Sequence, residues 1–491
     1  MDLAREVAAA LETGGDRHAI EFRGTWFTWA QLRAIAARIL ALLDHAGVPP
    51  DFPVALVCRN RIPHAAAILG FVAANRTVSM IYSMQSAAAI ARDVRDLRCV
   101  AVVADREDWT PEVLQALVET GSVGIAVSTD DPTHVEFVAG SERLRGGPHR
   151  SSSGPAGLEL LTSGTTGKPK RIRMPMSGLT RGIVTATLGE RRADEAPPFL
   201  ICWPISNIPV VILIAQACMR QRVILMEKFN LVGLLGAIKA HRLETIAAVY
   251  PLIRQLIDAD VPKSDLASLR YIFGGSGPLD PETQDQFEEK YGVQILWGYG
   301  ATEFAGTAAT WTPELRRQYG KSKRGSVGRA VPGVNIRIVD PSTGEARPNG
   351  SEGVLEAQVE VLGPSWIRTN DIALVDPEGF VFIRGRADGA INRGGFKIIP
   401  ERVVEVIRRH PAVADAAVVG VKDPGLGEVP AALVEIWREH PLPPVDELES
   451  LVRSNLPSHH VPKRFRFVRE MPRTASMEKI RLEEVRRLLE E

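Results

Sequence analysis

The chain reads as an α/β protein, with a large N-terminal α/β region followed by a small C-terminal α+β unit. Helical and strand periodicities alternate through about residue 340, two strands run into polar glycine-rich loops, and the pattern changes beyond residue 385. In α/β sheets such loops are where ligands sit.

The elements follow in order. Thr28 with Gln31 three residues later forms a capping box, and Leu32, Ile35, Ile39, Leu42 and Leu43 repeat at helical spacing until Gly47. Residues 54–57 read as a strand and 62–74 as an apolar helix. Residues 146–157 are rich in Gly, Ser and Pro, either a linker or an exposed excursion. The strand expected at 156–161 runs into Thr162, Ser163, Gly164, Thr165, Thr166, Gly167, Lys168, Pro169 and Lys170. Asp280-Pro281 starts a helix that ends at Gly292, and the strand 293–297 leads into Gly298-Tyr299-Gly300-Ala301-Thr302-Glu303. Val403, Val404 and Ile407 mark a helix stopped at Pro411, and 412–421 is an apolar strand. The polar run Gly385-Arg386-Ala387-Asp388-Gly389 divides residues 1–385 from a compact unit at 386–491, with a hinge at 386–388.

With 491 residues the chain is long enough for more than one core, and its 59 basic side chains equal its 59 acidic ones. No overall charge recruits nucleic acid or an anionic membrane. Cys58, Cys99, Cys202 and Cys218 are scattered without zinc-ligand spacing, as buried small hydrophobes would be. The first residues lack the apolar core of a signal peptide, and the most apolar stretch, 200–219, is interrupted by Pro204, Asn207 and Pro209. The expectation is a cytoplasmic protein with no membrane span.

The loop from Thr162 to Lys170 combines glycines that let backbone amides approach an anion with hydroxyl donors and two lysines. A polyphosphate needs that combination. Its glycine and lysine spacing is not that of the common P-loop, and the alternative is a flexible surface turn.

Further segments accompany it in order: Gly274-Gly275-Ser276-Gly277-Pro278-Leu279, Tyr299 to Glu303, Thr369-Asn370-Asp371, Gly385-Arg386, and Pro472-Arg473-Thr474 leading to Lys479. Together they resemble the adenylate-forming superfamily of acyl-CoA synthetases, firefly luciferases and nonribosomal-peptide adenylation domains, along nearly the whole chain. The resemblance implies a small mobile C-terminal domain. It also implies two half-reactions: attack of a carboxylate on the α-phosphate of MgATP, then displacement of AMP by a thiol, usually that of coenzyme A.

By the same resemblance, the 162–170 loop grips the β- and γ-phosphates. Tyr299 lies against the adenine with Gly275, Ser276 and Gly277 on its other side. Thr302 contacts the α-phosphate, Glu303 ligates Mg²⁺, and Asp371 with Arg386 holds the ribose. Lys479 enters the site for adenylation. Rotation about Asp388 brings Gly394, Gly395 and Phe396 to form the pantetheine tunnel, although Gly394-Gly395 reads equally as a β-turn. Asn207, Trp297 and Gly300 fall at acyl-pocket positions.

The chain departs from the family pattern in places. Met477-Glu478 stands where a Ser/Thr-Gly pair is usual, Arg171 and Asn370 replace glycines, and no aspartate occupies the position that holds an amino-acid ammonium group. An apolar fatty, aryl or polycyclic acid is the expected substrate. The acceptor is coenzyme A or the phosphopantetheine of an acyl carrier protein. A nucleotide- or acyl-adenylate-binding sensor is the non-enzymatic alternative, and a homodimer is an allowed assembly.

Overall fold

The computed structural model describes residues 2–151, 154–162, 170–180, 196–275, 277, 279–304, 306–387, 389–393, 396–423, 426–474 and 478–491. Two seven-stranded sheets form its main body. One is ordered Val135–Phe137, Val123–Val127, Ala101–Asp105, Val54–Cys58, Val78–Tyr82, Gly157–Thr162, Lys170–Pro175. The other is ordered Gln294–Trp297, Tyr271–Gly274, Thr245–Ala248, Phe199–Ile201, Val223–Leu225, His18–Phe22, Thr25–Thr28. The inner strands pair in parallel, as apolar runs joined by helices should.

Local chemistry sets the element ends. The helix Trp29–His45 opens with the capping box, Thr28 accepting from Gln31 N–H at 3.3 Å while Gln31 accepts from Thr28 N–H at 2.8 Å. Its Leu32, Ile35, Ile39 and Leu43 are buried. The helix Pro281–Tyr291 is capped by Asp280 and stops at Gly292, whose φ of 72° places it in the left-handed region. The 146–157 stretch is tied back: Arg150 N–H donates to Arg98 O, and its guanidinium pairs with buried Glu159.

The strand and helix alternation ends sooner than the expected residue 340. After Trp297 the chain turns antiparallel, with one sheet of Tyr299–Ala301, Gly306–Thr310 and Arg329–Ala330 and another of Val334–Val339, Glu352–Val359, Trp366–Val375 and Val381–Arg386. In the second of these sheets short turns such as Pro341-Ser342-Thr343-Gly344, with Asp340 accepting from two backbone amides, join neighbouring strands directly.

The smaller C-terminal unit packs the helices Pro400–Arg408, Val445–Asn455 and Leu482–Glu490 on a sheet of Phe396–Ile398, Ile391–Arg393, Gly427–Ile436 and Val413–Asp423, joined by Arg464–Val468. Its apolar clusters, one around Val403, Ile407 and Val434 and one around Leu433 and Val485, are its own. No helix among the described residues is long and apolar enough to cross a membrane. All four cysteines are buried and unpaired.

Candidate nucleotide and adenylate site

Tyr299 and Asp371 meet through the fold, since Tyr299 follows the parallel strand Gln294–Trp297 and Asp371 lies in the antiparallel strand Trp366–Val375. The Tyr299 hydroxyl donates to Asp371 Oδ2. Asp371 pairs in register with Arg386 on the neighbouring strand, and Arg386 Nη1 lies 3.6 Å from Asp371 Oδ1. Thr369 Oγ1 accepts from Asp371 N–H at 3.0 Å and donates to Leu355 O at 2.8 Å, which fixes the carboxylate's backbone. Burial, reinforced by the Asp371 carboxylate, pushes the Tyr299 hydroxyl well above its usual range, so it stays a donor.

Lys479 comes from the far end of the chain. Its backbone N–H donates to Thr474 Oγ1 at 3.1 Å, its carbonyl accepts from Thr474 N–H at 2.8 Å, and Arg473 bridges to Ile480 across the turn. Burial lowers its ammonium below the ordinary lysine value. Arg386 pushes the same way, while Glu303 opposes both. Lys479, Arg386 and Glu303 therefore share one electrostatic neighbourhood. Glu303 itself is exposed, on the short 3₁₀ turn Thr302–Phe304.

The glycine segment is braced from behind. The indole of Trp297 lies on Gly274, where an added Cβ would sit 2.0 Å from the ring, and its Nε1 donates to Gly277 O at 2.8 Å. A Cβ on Gly275 would approach Gly298 O to 2.9 Å, whereas at Gly277 nothing lies within 4 Å. The structure thus seats Trp297 in the core, 3% exposed, beneath the loop. Gly300 is a close backbone approach to Gly306 and Thr307 in its hairpin. Asn207 closes a turn, its N–H on Pro204 O at 3.1 Å.

Ser163, Gly164, Thr165, Thr166, Gly167, Lys168, Ser276, Asp388, Gly394 and Gly395 lie outside the described residues, as do the side chains of Thr162, Lys170, Thr302 and Phe396. The strands that flank the 163–169 loop are described: Thr162 pairs with Lys170 across an antiparallel hairpin, and Arg171 at its base donates to Met80 O at 2.6 Å. The arginine that replaces a glycine here ties the hairpin to the adjacent strand.

Several contacts escape sequence reading. Asn60, at the C-terminal end of Val54–Cys58, donates to Trp203 O and Met226 O, each at 3.0 Å, and accepts from Ile205 N–H at 2.8 Å. It staples one sheet to the loop leaving the other. A polar residue at that end of a buried strand was the available signal. Trp203, four residues before Asn207 in the chain, stacks on Phe229 with ring centroids 5.3 Å apart. Glu401, packed where a Cβ on Gly385 would fall 2.6 Å away, is raised by burial.

The model of the AMP-binding enzyme family matches residues 7–358, and that of the AMP-binding enzyme C-terminal domain matches residues 403–478. The chain belongs to the AMP-binding enzyme family. A 2-succinylbenzoate–CoA ligase of Bacillus mycoides (strain KBAB4) is 27% identical, over 97% of this chain and 96% of its own. Among solved structures, the amide bond synthetase McbA from Marinactinospora thermotolerans is 26% identical with a TM-score of 0.82, covering 99% of both chains. The o-succinylbenzoate CoA synthetase of Bacillus subtilis, in complex with an acyl-adenylate intermediate, aligns at a TM-score of 0.80 and 21% identity over 98% of this chain and 97% of that one. This AMP-binding enzyme therefore has the adenylate-forming fold, a large N-terminal α/β domain followed by a smaller C-terminal domain.

Proposed function

We infer that this enzyme is an AMP-forming acid–thiol ligase. It uses ATP to turn an apolar carboxylic acid into an acyl-adenylate and then passes the acyl group to coenzyme A. The observation that supports the reading is Lys479, a C-terminal lysine whose charge is disfavoured by burial and by Arg386 at the hinge and favoured by Glu303 of the N-terminal region.

In the first half-reaction a carboxylate oxygen bonds to the α-phosphorus and the bond to pyrophosphate breaks. The chain need only place charge around a phosphate-rich transition state. A cation held where burial and Arg386 disfavour its charge gains most from an incoming anion, which suits Lys479 to that step. Asp371, already accepting from Tyr299, has the acceptor chemistry for ribose hydroxyls. Among the described residues no group of three or more His, Cys, Asp or Glu is placed to hold a metal ion. A magnesium ion at Glu303 would take its other ligands from phosphate and water, as this ion commonly does, and would neutralise phosphate charge there.

In the second half-reaction the thiol sulfur bonds to the acyl carbon, the bond to AMP breaks and the thiol proton leaves. The division at residues 1–385 and 386–491, with a hinge at 386–388, belongs to this proposal, as does a tunnel formed by Gly394, Gly395 and Phe396. The stacked Trp203 and Phe229 favour an aryl or other apolar acid. Four buried free thiols suit the reducing cytoplasm.

The test is a panel of octanoate, benzoate, 4-coumarate, 2-succinylbenzoate and cholate with MgATP, scored by pyrophosphate and AMP release with coenzyme A or a phosphopantetheinylated carrier protein as acceptor. Pyrophosphate release with at least one acid and AMP release on adding coenzyme A is the expected result. AMP release with the carrier protein alone would move the acceptor to that partner. Nucleotide binding with no pyrophosphate from any acid would favour the sensor reading.

A further inference from the structure

A continuous polar chain links the seam between the two parts of the molecule to the backbone that carries Lys479. Arg408, the last residue of the helix Pro400–Arg408, lies with its guanidinium 5.0 Å over the ring of Tyr250, which opens the helix Tyr250–Asp258 of the N-terminal region. The same guanidinium donates through Nε to Asp415 Oδ1 at 2.8 Å. Asp415 is only 3% exposed, and its other oxygen accepts from Arg473 Nη2. Arg473 in turn donates through Nη1 to Glu478 O at 3.1 Å. Glu478 immediately precedes Lys479 and has a φ of 53°, a conformation that a non-glycine residue keeps only when its surroundings hold it. Its N–H donates to Thr474 O at 3.0 Å.

The C-terminal unit has two apolar cores besides this chain. The geometry ties one planar cation to two things at once, an aromatic ring on the large domain and a buried carboxylate on the small one. A guanidinium over a ring face is favoured where water is excluded. If the ring is lost, the Arg408 head group regains water and its hold on Asp415 slackens. Arg473 then has a different partner balance from which to grip the Glu478 carbonyl.

We propose that Tyr250 and Arg408 are positioning residues, which convert the seating of the C-terminal unit on the helix Tyr250–Asp258 into placement of Lys479. The seating contact and the lysine are thereby one device. This rests on the reading that Lys479 serves the first half-reaction. It adds two residues of that reaction that touch neither nucleotide nor acid.

The test reads Lys479 directly. The full chain, without added substrate, is treated with acetic anhydride, and acetylation of each lysine is followed by mass spectrometry. In Tyr250→Leu, Lys479 labels faster than in the parent by about fivefold or more, while exposed Lys239 labels at the same rate. Arg408→Lys keeps a cation near Asp415 but not a planar group over the ring, and it raises labelling by a smaller factor. Arg254→Ala removes the neighbouring seam contact, where the guanidinium lies 5.1 Å over the Trp437 ring, and leaves Lys479 labelling unchanged. With the best acid of the panel, Tyr250→Leu also slows pyrophosphate release about tenfold, while thioester formation from supplied acyl-adenylate stays within about twofold. Unchanged Lys479 labelling in both Tyr250→Leu and Arg408→Lys, or an equal rise in Arg254→Ala, overturns the proposal. If labelling rises but pyrophosphate release does not fall, the coupling stands and the first-half role of Lys479 fails.

Discussion

In the proposed reaction, Lys479 is the single side chain on which the first half-reaction most depends. Its charge is disfavoured by burial and by Arg386, and only Glu303 supports it. We expect Lys479→Ala to lower the rate of pyrophosphate release with the best acid by about a hundredfold or more, with thioester formation from supplied acyl-adenylate retained. Equal adenylation rates for mutant and parent would remove the lysine from the mechanism. The sequence exposes this residue only through the Pro472-Arg473-Thr474 segment before it, and the departure at Glu478 obscures it. The backbone explains that departure: Glu478 has the left-handed φ of 53° that a glycine adopts freely, at a cost of roughly 1–2 kcal/mol for a side-chain residue. Arg473, gripping the Glu478 carbonyl, helps hold it there.

At the scale of elements, the loops at the strand ends owe their shape to what lies under them. The strand Tyr271–Gly274 ends on Gly274 because the Trp297 indole of the next parallel strand occupies the space of a side chain. Gly274→Ala forces an overpacked core and should destabilise the enzyme by about 1–3 kcal/mol, with Gly274→Ala/Trp297→Leu recovering part of the loss in thermal melts. A single mutant as stable as the parent would contradict this packing. The capping box, the Asp280 cap and the Gly292 stop were legible because each is a local backbone requirement. The antiparallel run after Trp297 was not, because strand direction depends on which distant segment pairs with it. Trp297 falls at an acyl-pocket position by resemblance, and its contacts with Gly274 and Gly277 follow from strand order, which the sequence does not show.

For the whole molecule, ion pairs between elements matter more than net charge. Arg61, just before the helix Ile62–Ala73, pairs with Asp105 at 2.8 Å and with Glu227 at 2.8 Å, joining one large sheet to the strand end of the other. Burial alone would raise the Asp105 carboxyl, but the His64 ring 3.6 Å away and hydrogen bonds from Thr129 and Arg61 hold it well below the usual range. Glu227, which also pairs with Arg23, is lowered against its burial in the same way. Such groups stabilise the fold above their unfolded values of about 4, and that stability is lost as pH falls through their depressed folded values. Partly buried Glu401 and Glu435 are raised and act in the opposite sense. Asp105→Asn should therefore lower the Tm near pH 7 and narrow its gap from the parent as pH falls toward about 3. A constant difference across that range would show that the Asp105 charge does not contribute.

The amino-acid sequence by itself determined the α/β class, the caps and stops of its helices, and a set of nucleotide-type motifs in family order, since each depends on residues a few positions apart. It also marked the change of pattern near residue 385. Tertiary structure alone decided that Tyr299, Asp371 and Arg386 meet, that Trp297 lies under the glycine loop, and that Arg408 of the C-terminal unit lies over the ring of Tyr250. Those are contacts across strand order and across the seam between the two parts. They are fixed by which surfaces bury one another, a property no local run of residues carries.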